Sequence, residues 1–559
     1  MKKKIIVISI LIIFTNLLIS SALLTVSGNE NFKLGDLEKQ LLINKQKVRF
    51  SLGDNIDWWP QLQHDSQHSG ISTSSAPETD AILWSFKGIR GKFTAPTVSD
   101  NKVFIGAGGS NFNGWRGGLY CIDAETGSLL WSHMYPKKRH IDAAPLVYNN
   151  QVIICSGFLD IPVGDIYCYN ITDGSLIWEI KDIGSVYMCP VIESGSMYLS
   201  VSYDTPGVSR RHYCINITNG NISWMREIGG VHYSGPTVSN GRLYIIRNER
   251  KNCVYCLNAS TGEIIWTWNC SFDHGAYSRS TVVNGRLYFG TTGHGTITPD
   301  GEKWTHGAVF CLDAVNGTTI WQTEQTDSYS WSCPVVYDGK VYIGTDNHYS
   351  GERRETFYCL NADSGGEVWN HSVETHKGFM VMPSWFSPAV CDRKVYTVLP
   401  HRFSVRLYCF DASSGEIIWD FEKYGLWANS RELAIADGKL FMTYSAWALY
   451  PIIGTIYCFS DISLKAPNAP IINGPTEVNP GETYKYTIST NDPNGDEIFC
   501  YITWGDGTVE KWIGPYDSGE KITINHTWSD KIRTNIRVRV KDIGGLHGPV
   551  GSMKVTFSR

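Results

Sequence analysis

Between residues 82 and 460 the chain alternates short apolar runs with polar turns, and one such arrangement keeps returning. LYCIDAETGSLLW, Leu119 to Trp131, is the clearest copy. Related stretches end at Trp178, Trp224, Trp266, Trp321, Trp369 and Trp419. In each, alternating apolar residues predict a strand, and Asp or Asn followed by Gly predicts a tight turn. A second strand then carries the Trp. The turn glycine (Gly127, Gly174, Gly220, Gly262, Gly317, Gly365, Gly415) supplies the positive φ such turns use. A second hairpin precedes each copy: a small residue, usually Pro, a short apolar run, a turn such as Asn240-Gly241 or Asp338-Gly339, and a β-rich strand. Each repeat therefore predicts four strands.

An eighth copy is split. Ile456 to Ser460 opens the motif and stops, while Ile82 to Phe86 supplies a Trp strand, around Trp84, with no Tyr-Cys before it. Units of roughly 40–50 residues with four strands each are the mark of propeller blades. The split copy predicts that the N-terminal strand closes the ring. The expected fold is all-β: an eight-bladed β-propeller closed by an N-terminal strand, followed by a small Ig-like β-sandwich.

The boundaries follow from shifts in composition. Met1-Lys2-Lys3-Lys4 precedes an apolar run to about Leu24, and Val26-Ser27-Gly28 offers a small-residue cleavage site. Residues 1–28 are thus a signal peptide or an N-terminal anchor, and both predict export. Residues 29–57 read as a tether, 58–462 as the propeller, 463–470 as a Pro-containing linker, and 471–559 as the sandwich. A formal charge of −5 over 559 residues is too mild to imply nucleic acid, and a membrane enters only through the N-terminal segment.

The repeat resembles that of pyrroloquinoline-quinone-type propellers, whose Ala-x-Asp…Thr-Gly…Trp docking motif ties neighbouring blades. Ala124, Ala259, Ala314, Ala362 and Ala412 match it, and Ile171 and Ile217 depart from it. WWPQLQHDSQHSG, from Trp58, resembles the lead-in of many such proteins. The resemblance implies the fold and leaves function open, because the family holds both quinoprotein alcohol dehydrogenases and assembly lipoproteins. The enzymes are marked by a vicinal disulfide over the quinone, a calcium held by Glu and Asn, and a catalytic Asp. This chain has no Cys-Cys pair and no alignable set of that kind, nor G-x-S-x-G or HExxH. The expectation is a binding or scaffold protein without quinone, with a protein or carbohydrate partner at the cell surface. A quinoprotein oxidoreductase is the alternative.

Candidate ligand-binding residues come from the register of the innermost strands. Their small-residue column reads Ala95, Ala144, Cys189, Gly235, Arg279, Cys333, Ser387 and Glu432. Arg279 and Glu432 break it, three blades apart, and are expected not to touch directly, so that a ligand, water or ion bridges them. Two places earlier the column is mostly aromatic and includes Tyr233, Tyr277, Trp331 and Trp385, which suit either a sugar, a peptide end or a planar cofactor, or interblade packing. The longer loops lie on that same face.

The sequence has 15 cysteines, eight of them at one repeat position, and these are expected to be free, small core residues. Eight N-x-S/T sites occur. Asn170, Asn216 and Asn258 belong to the repeat itself, which leaves Asn370 and Asn525 as the better glycan candidates. In the last domain, Trp504 to Thr508, His526-Thr527-Trp528 and Val540-Lys541-Asp542 resemble the marks of PKD-type (polycystic kidney disease) modules. Asp492, Asn494 and Asp496 begin like a calcium loop. With no Gly at the sixth place and Thr503 at the twelfth it is not an EF-hand, and a plain turn fits equally.

Overall fold

The computed structural model describes residues 57–558 except 89–90, 109–115, 138, 158–162, 187, 202–210, 229–234, 248–252, 271–277, 292–294, 299–300, 305–306, 325–331, 347–353, 375–386, 402–403, 426–427, 447–453, 462–464, 494–496, 531–533 and 543–546. Among these the regular structure is entirely β. No helix among them is long and apolar enough to cross a membrane.

Between Ile71 and Phe459 the strands form eight sheets of four or five strands, besides one two-stranded hairpin. In the second sheet, Leu146–Tyr148, Gln151–Cys155, Ile166–Asn170 and Leu176–Ile180 pair in sequence order, all antiparallel. The inner hairpins turn on two residues of positive φ, such as Asn240 (51°) and Gly241 (70°), the mirror-image turn that matches strand twist. The inner strands neighbour one another in chain order, and Ala434–Ala436 of the last sheet neighbours Thr97–Ser99 of the first. The circuit of sheets is closed.

The repeat motif makes the joints between sheets. Each repeat Cys pairs across its hairpin with the Trp: Cys121 with Trp131, Cys214 with Trp224, Cys409 with Trp419. The Trp ring then lies on the turn glycine of the next sheet. A Cβ added to Gly415 would come 2.6 Å from the Trp369 ring, and one on Gly317 would come 2.7 Å from that of Trp266. The indole N–H donates to the next sheet's backbone: Trp84 to the Ala124 carbonyl (2.9 Å), Trp131 to Ile171 (3.2 Å), Trp178 to Ile217 (2.7 Å) and Trp321 to Ala362 (2.9 Å). Ile171 and Ile217 dock as well as alanine does, because the acceptor is main chain.

The split copy reassembles without a covalent turn. Ile82–Lys87 pairs with Gly454–Phe459, and Trp84 stands opposite Cys458. The Asp461 carboxylate accepts the backbone N–H groups of Glu78 (2.8 Å) and Thr79 (3.2 Å), and Trp419 donates to the Pro77 carbonyl (3.3 Å). All fifteen cysteines are buried and free, as read for the repeat positions.

Beyond the linker, a three-stranded sheet (Ile471–Asn473, Thr483–Ser489, Ile522–Thr527) and a five-stranded sheet share one core around Tyr486, Trp504, Trp528 and Val540. The PKD-like residues make a single cluster. His526 stacks on Trp504 with ring centroids 4.3 Å apart, and its Nε2 lies 2.8 Å from Asp506.

Candidate functional site

An inner strand has one edge facing the ring axis, where its N–H groups lack a ladder partner. The polar lead-in segment supplies partners in turn. Trp59 bridges to Val98, and the Pro60 carbonyl accepts Val147 N–H at 2.7 Å. The Gln61 side chain accepts Ile192 N–H (2.9 Å) and donates to the Ile192 carbonyl (3.2 Å). Ser66, Gln67 and Gly70 carbonyls accept the N–H groups of Val238, Val282 and Val390. Residues 59–70 therefore cross the inner strands of six sheets and fill that end of the channel. The sequence signal was a polar stretch without strand periodicity, and only closure of the ring shows what it contacts.

The segment holds its shape through charge. His64 Nε2 is 2.9 Å from Asp57 and its Nδ1 is 3.5 Å from Asp65. Burial alone would lower the His64 pKa, but the two carboxylates raise it to about 9, so it is an imidazolium at neutral pH. Burial opposes ionisation of Asp57 too, yet His64 and the Thr73 N–H hold it below the usual carboxylate range.

Deeper, His68 is fully buried. Its Nδ1–H donates to the Ser280 carbonyl at 3.1 Å, and burial with the nearby Arg279 charge lowers its pKa to about 4. The ring is neutral, and Nε2 presents a lone pair with no protein partner. The amide of buried Gln63 and Nε of Arg279 likewise lack protein partners, and such groups are ordinarily served by ordered water.

Arg279 and Glu432 meet directly, Nη1 to Oε1 at 2.5 Å. This corrects the expectation of a bridging ligand. Their sheets are not neighbours in the circuit, but side chains of this length reach across the channel from opposite walls. Burial works against the Arg279 charge, and Glu432 more than restores it, leaving its pKa above the ordinary value. Nearer the loop-bearing face, Arg431 pairs with Asp142 at 3.3 Å, and buried His140 lies in the same polar zone. Burial and the Arg431 charge push Lys92 down to about 8. Arg431 and Lys92 were not singled out in the sequence, although Asp142 stands two places before Ala144, in the register of the aromatic column. Tyr233, Tyr277, Trp331 and Trp385 lie outside the described residues.

In the last domain Asp492 is buried and its N–H donates to Ser518 Oγ at 2.8 Å, while Asn494 and Asp496 lie outside the described residues. Among the described residues no group of three or more His, Cys, Asp or Glu is arranged to hold a metal ion.

Set against known proteins, residues 68–231 and 305–450, together more than half of the chain, match the family described as outer membrane protein assembly factor BamB. Tetrathionate hydrolase of Acidithiobacillus ferrooxidans is 22% identical over 271 residues, 45% of this chain. The chain spans only 44% of that relative's length. Quinohemoprotein alcohol dehydrogenase from Comamonas testosteroni superposes with a TM-score of 0.53 at 12% identity, covering 72% of this chain and 80% of its own. That likeness carries the fold alone. The PKD domain of an M14-like peptidase from Thermoplasmatales archaeon SCGC AB-540-F20 is 46% identical, covering 17% of this chain and all of its own, with a TM-score of 0.17.

Proposed function

The chain belongs to the BamB family of PQQ-type repeat propellers, and from that membership we propose that it is an exported, non-catalytic binding protein. In this reading the ring has eight blades and presents its long-loop face to a protein or carbohydrate at the cell surface. The last domain is an Ig-like, PKD-type spacer. Eight sheets with a closed circuit of inner strands support the blade count, and the joined Trp504, Asp506 and His526 support the spacer.

One observation carries the non-catalytic reading: the axis is occupied by the protein's own groups. The lead-in fills one end, and the Arg279–Glu432 pair spans the channel beyond it. A quinone bearing several carboxylates needs unneutralised cations and, in the family enzymes, a calcium site and a vicinal disulfide. Here Glu432 already neutralises Arg279, and the thiols are free and none adjacent in sequence. The described residues do not fit the group.

Arg279 and Glu432 form the floor of the proposed site, and Tyr233, Tyr277, Trp331 and Trp385, which lie outside the described residues, are its candidate aromatic ligand contacts from the sequence register. Calcium at Asp492, Asn494 and Asp496 would brace the spacer, which melting with and without chelator tests. Peptide and glycan arrays probed with the purified protein test the main reading: capture is expected, and Trp331→Ala with Trp385→Ala should weaken it. Dye-linked alcohol oxidation after adding pyrroloquinoline quinone and calcium, with new visible absorbance, would overturn it in favour of an oxidoreductase.

A further inference from the structure

Thirteen of the fifteen thiols are read most simply as core atoms, and Cys253 and Cys270 stand apart from them. Cys253 directly precedes the third strand of its sheet, Val254–Asn258, and Cys270 lies two residues beyond the outer strand, Ile264–Trp268. Val254 pairs with Trp268, so both cysteines sit at the same end of one ladder. Cys253 Sγ reaches the Trp268 carbonyl at 3.7 Å. The two thiols share a hydrogen bond, and the Cys270 N–H donates to Cys253 Sγ. Repeat cysteines are placed differently, each opposite a Trp in mid-hairpin, as Cys256 is opposite Trp266.

We propose that Cys253 and Cys270 are a redox-active thiol pair that closes to an intrachain disulfide on meeting a low-molecular-weight disulfide such as oxidised glutathione. Cys270, at 8% exposure, is the more accessible, and Cys253 is fully buried. The Cys270 thiolate attacks one sulfur of the glutathione disulfide, and one glutathione leaves. Cys253 then loses its proton and attacks the Cys270 sulfur of the mixed disulfide, and the second glutathione leaves. The two electrons pass to the glutathione disulfide, and the two thiol protons end on the two glutathione molecules. The hydrogen bond to Cys270 and burial both hold the Cys253 thiol above its ordinary pKa, so closure accelerates as pH rises. The product fixes the third and outer strands of the fourth sheet to each other.

The test is to expose the full native chain to oxidised glutathione, alkylate in denaturant without reductant, and map the peptides by mass. The expected product is a Cys253–Cys270 cross-link two hydrogens lighter than the dithiol, with Cys121, Cys168, Cys214, Cys311, Cys359, Cys409 and Cys458 alkylated. In Cys253→Ser, Cys270 should stop at the glutathione adduct, a readout that needs only the folded state confirmed by an unchanged far-ultraviolet spectrum. Alkylation of Cys253 and Cys270 as complete as that of the repeat cysteines, at every pH tried, would overturn the proposal. So would a cross-link joining either one to a different partner.

Discussion

The rim and the axis of the ring are built on opposite principles. At the rim, one solution is repeated: Trp on the turn glycine of the next sheet, from Trp84–Gly127 round to Trp369–Gly415, with the indole N–H on a main-chain carbonyl at every joint but that of Trp266. At the axis nothing repeats. A single lead-in segment serves six inner strands, and the Arg279–Glu432 pair crosses the channel. Neighbour contacts pose the same problem at each joint, so one motif answers seven of them, and at the eighth Trp419 meets the Pro77 carbonyl. The axis is a single place that all the sheets share, and it takes a single, asymmetric filling.

The comparison breaks most severely where one segment serves both regions. Deleting the chain through Phe86 removes the axial filling and the outer strand opposite Cys458, leaving an unpaired edge. Aggregation, or loss of a cooperative melt, is expected in size exclusion and calorimetry. A truncation that melts like the parent would mean that closure is dispensable.

At the axis alone, Glu432→Ala strands a buried guanidinium and should cost about 3–5 kcal/mol in urea unfolding. Replacing Arg279 by Met and Glu432 by Leu together should return stability to near the parent value. If the single variant is neutral, the pair is not desolvated as its burial implies.

At the rim, Gly317→Ala meets the Trp266 ring at a φ of +77° and should cost about 1–3 kcal/mol by the same measurement.

The lead-in gives the axis a pH dependence. The His64 pKa is raised from 6.5 to about 9 on folding, so its contribution is complete below 6.5 and lost as pH rises through about 9. The stability gap between the parent and His64→Gln should therefore be widest near pH 6 and close above pH 9. A gap that stays constant would refute the ion-pair assignment.

The smallest effect lies within the rim. Trp224 Nε1 donates to the Ala259 carbonyl (2.9 Å), whereas Trp266 Nε1 has no partner among the described residues. Trp224→Phe should cost about 0.5–1.5 kcal/mol more than Trp266→Phe in paired denaturant melts.

By itself the sequence determined the strands, their turns and the rim. Alternation, Asn-Gly or Asp-Gly turns and the Trp at fixed spacing are local features, and seven written copies left the eighth to be completed from Ile82 to Phe86. Free thiols at the repeat positions were legible for the same reason, since equivalent positions in neighbouring sheets stay apart. Only the tertiary structure decided the axis. Arg279 and Glu432 stood out as exceptions in a small-residue column, but whether they touch depends on how far two long side chains reach across a channel whose width no local pattern encodes. Nor does any local pattern show that Gln61, Ser66 and Gly70 serve strands more than a hundred residues away. Those contacts exist because ring closure brings every inner edge to one line, and unpaired backbone groups there require a partner.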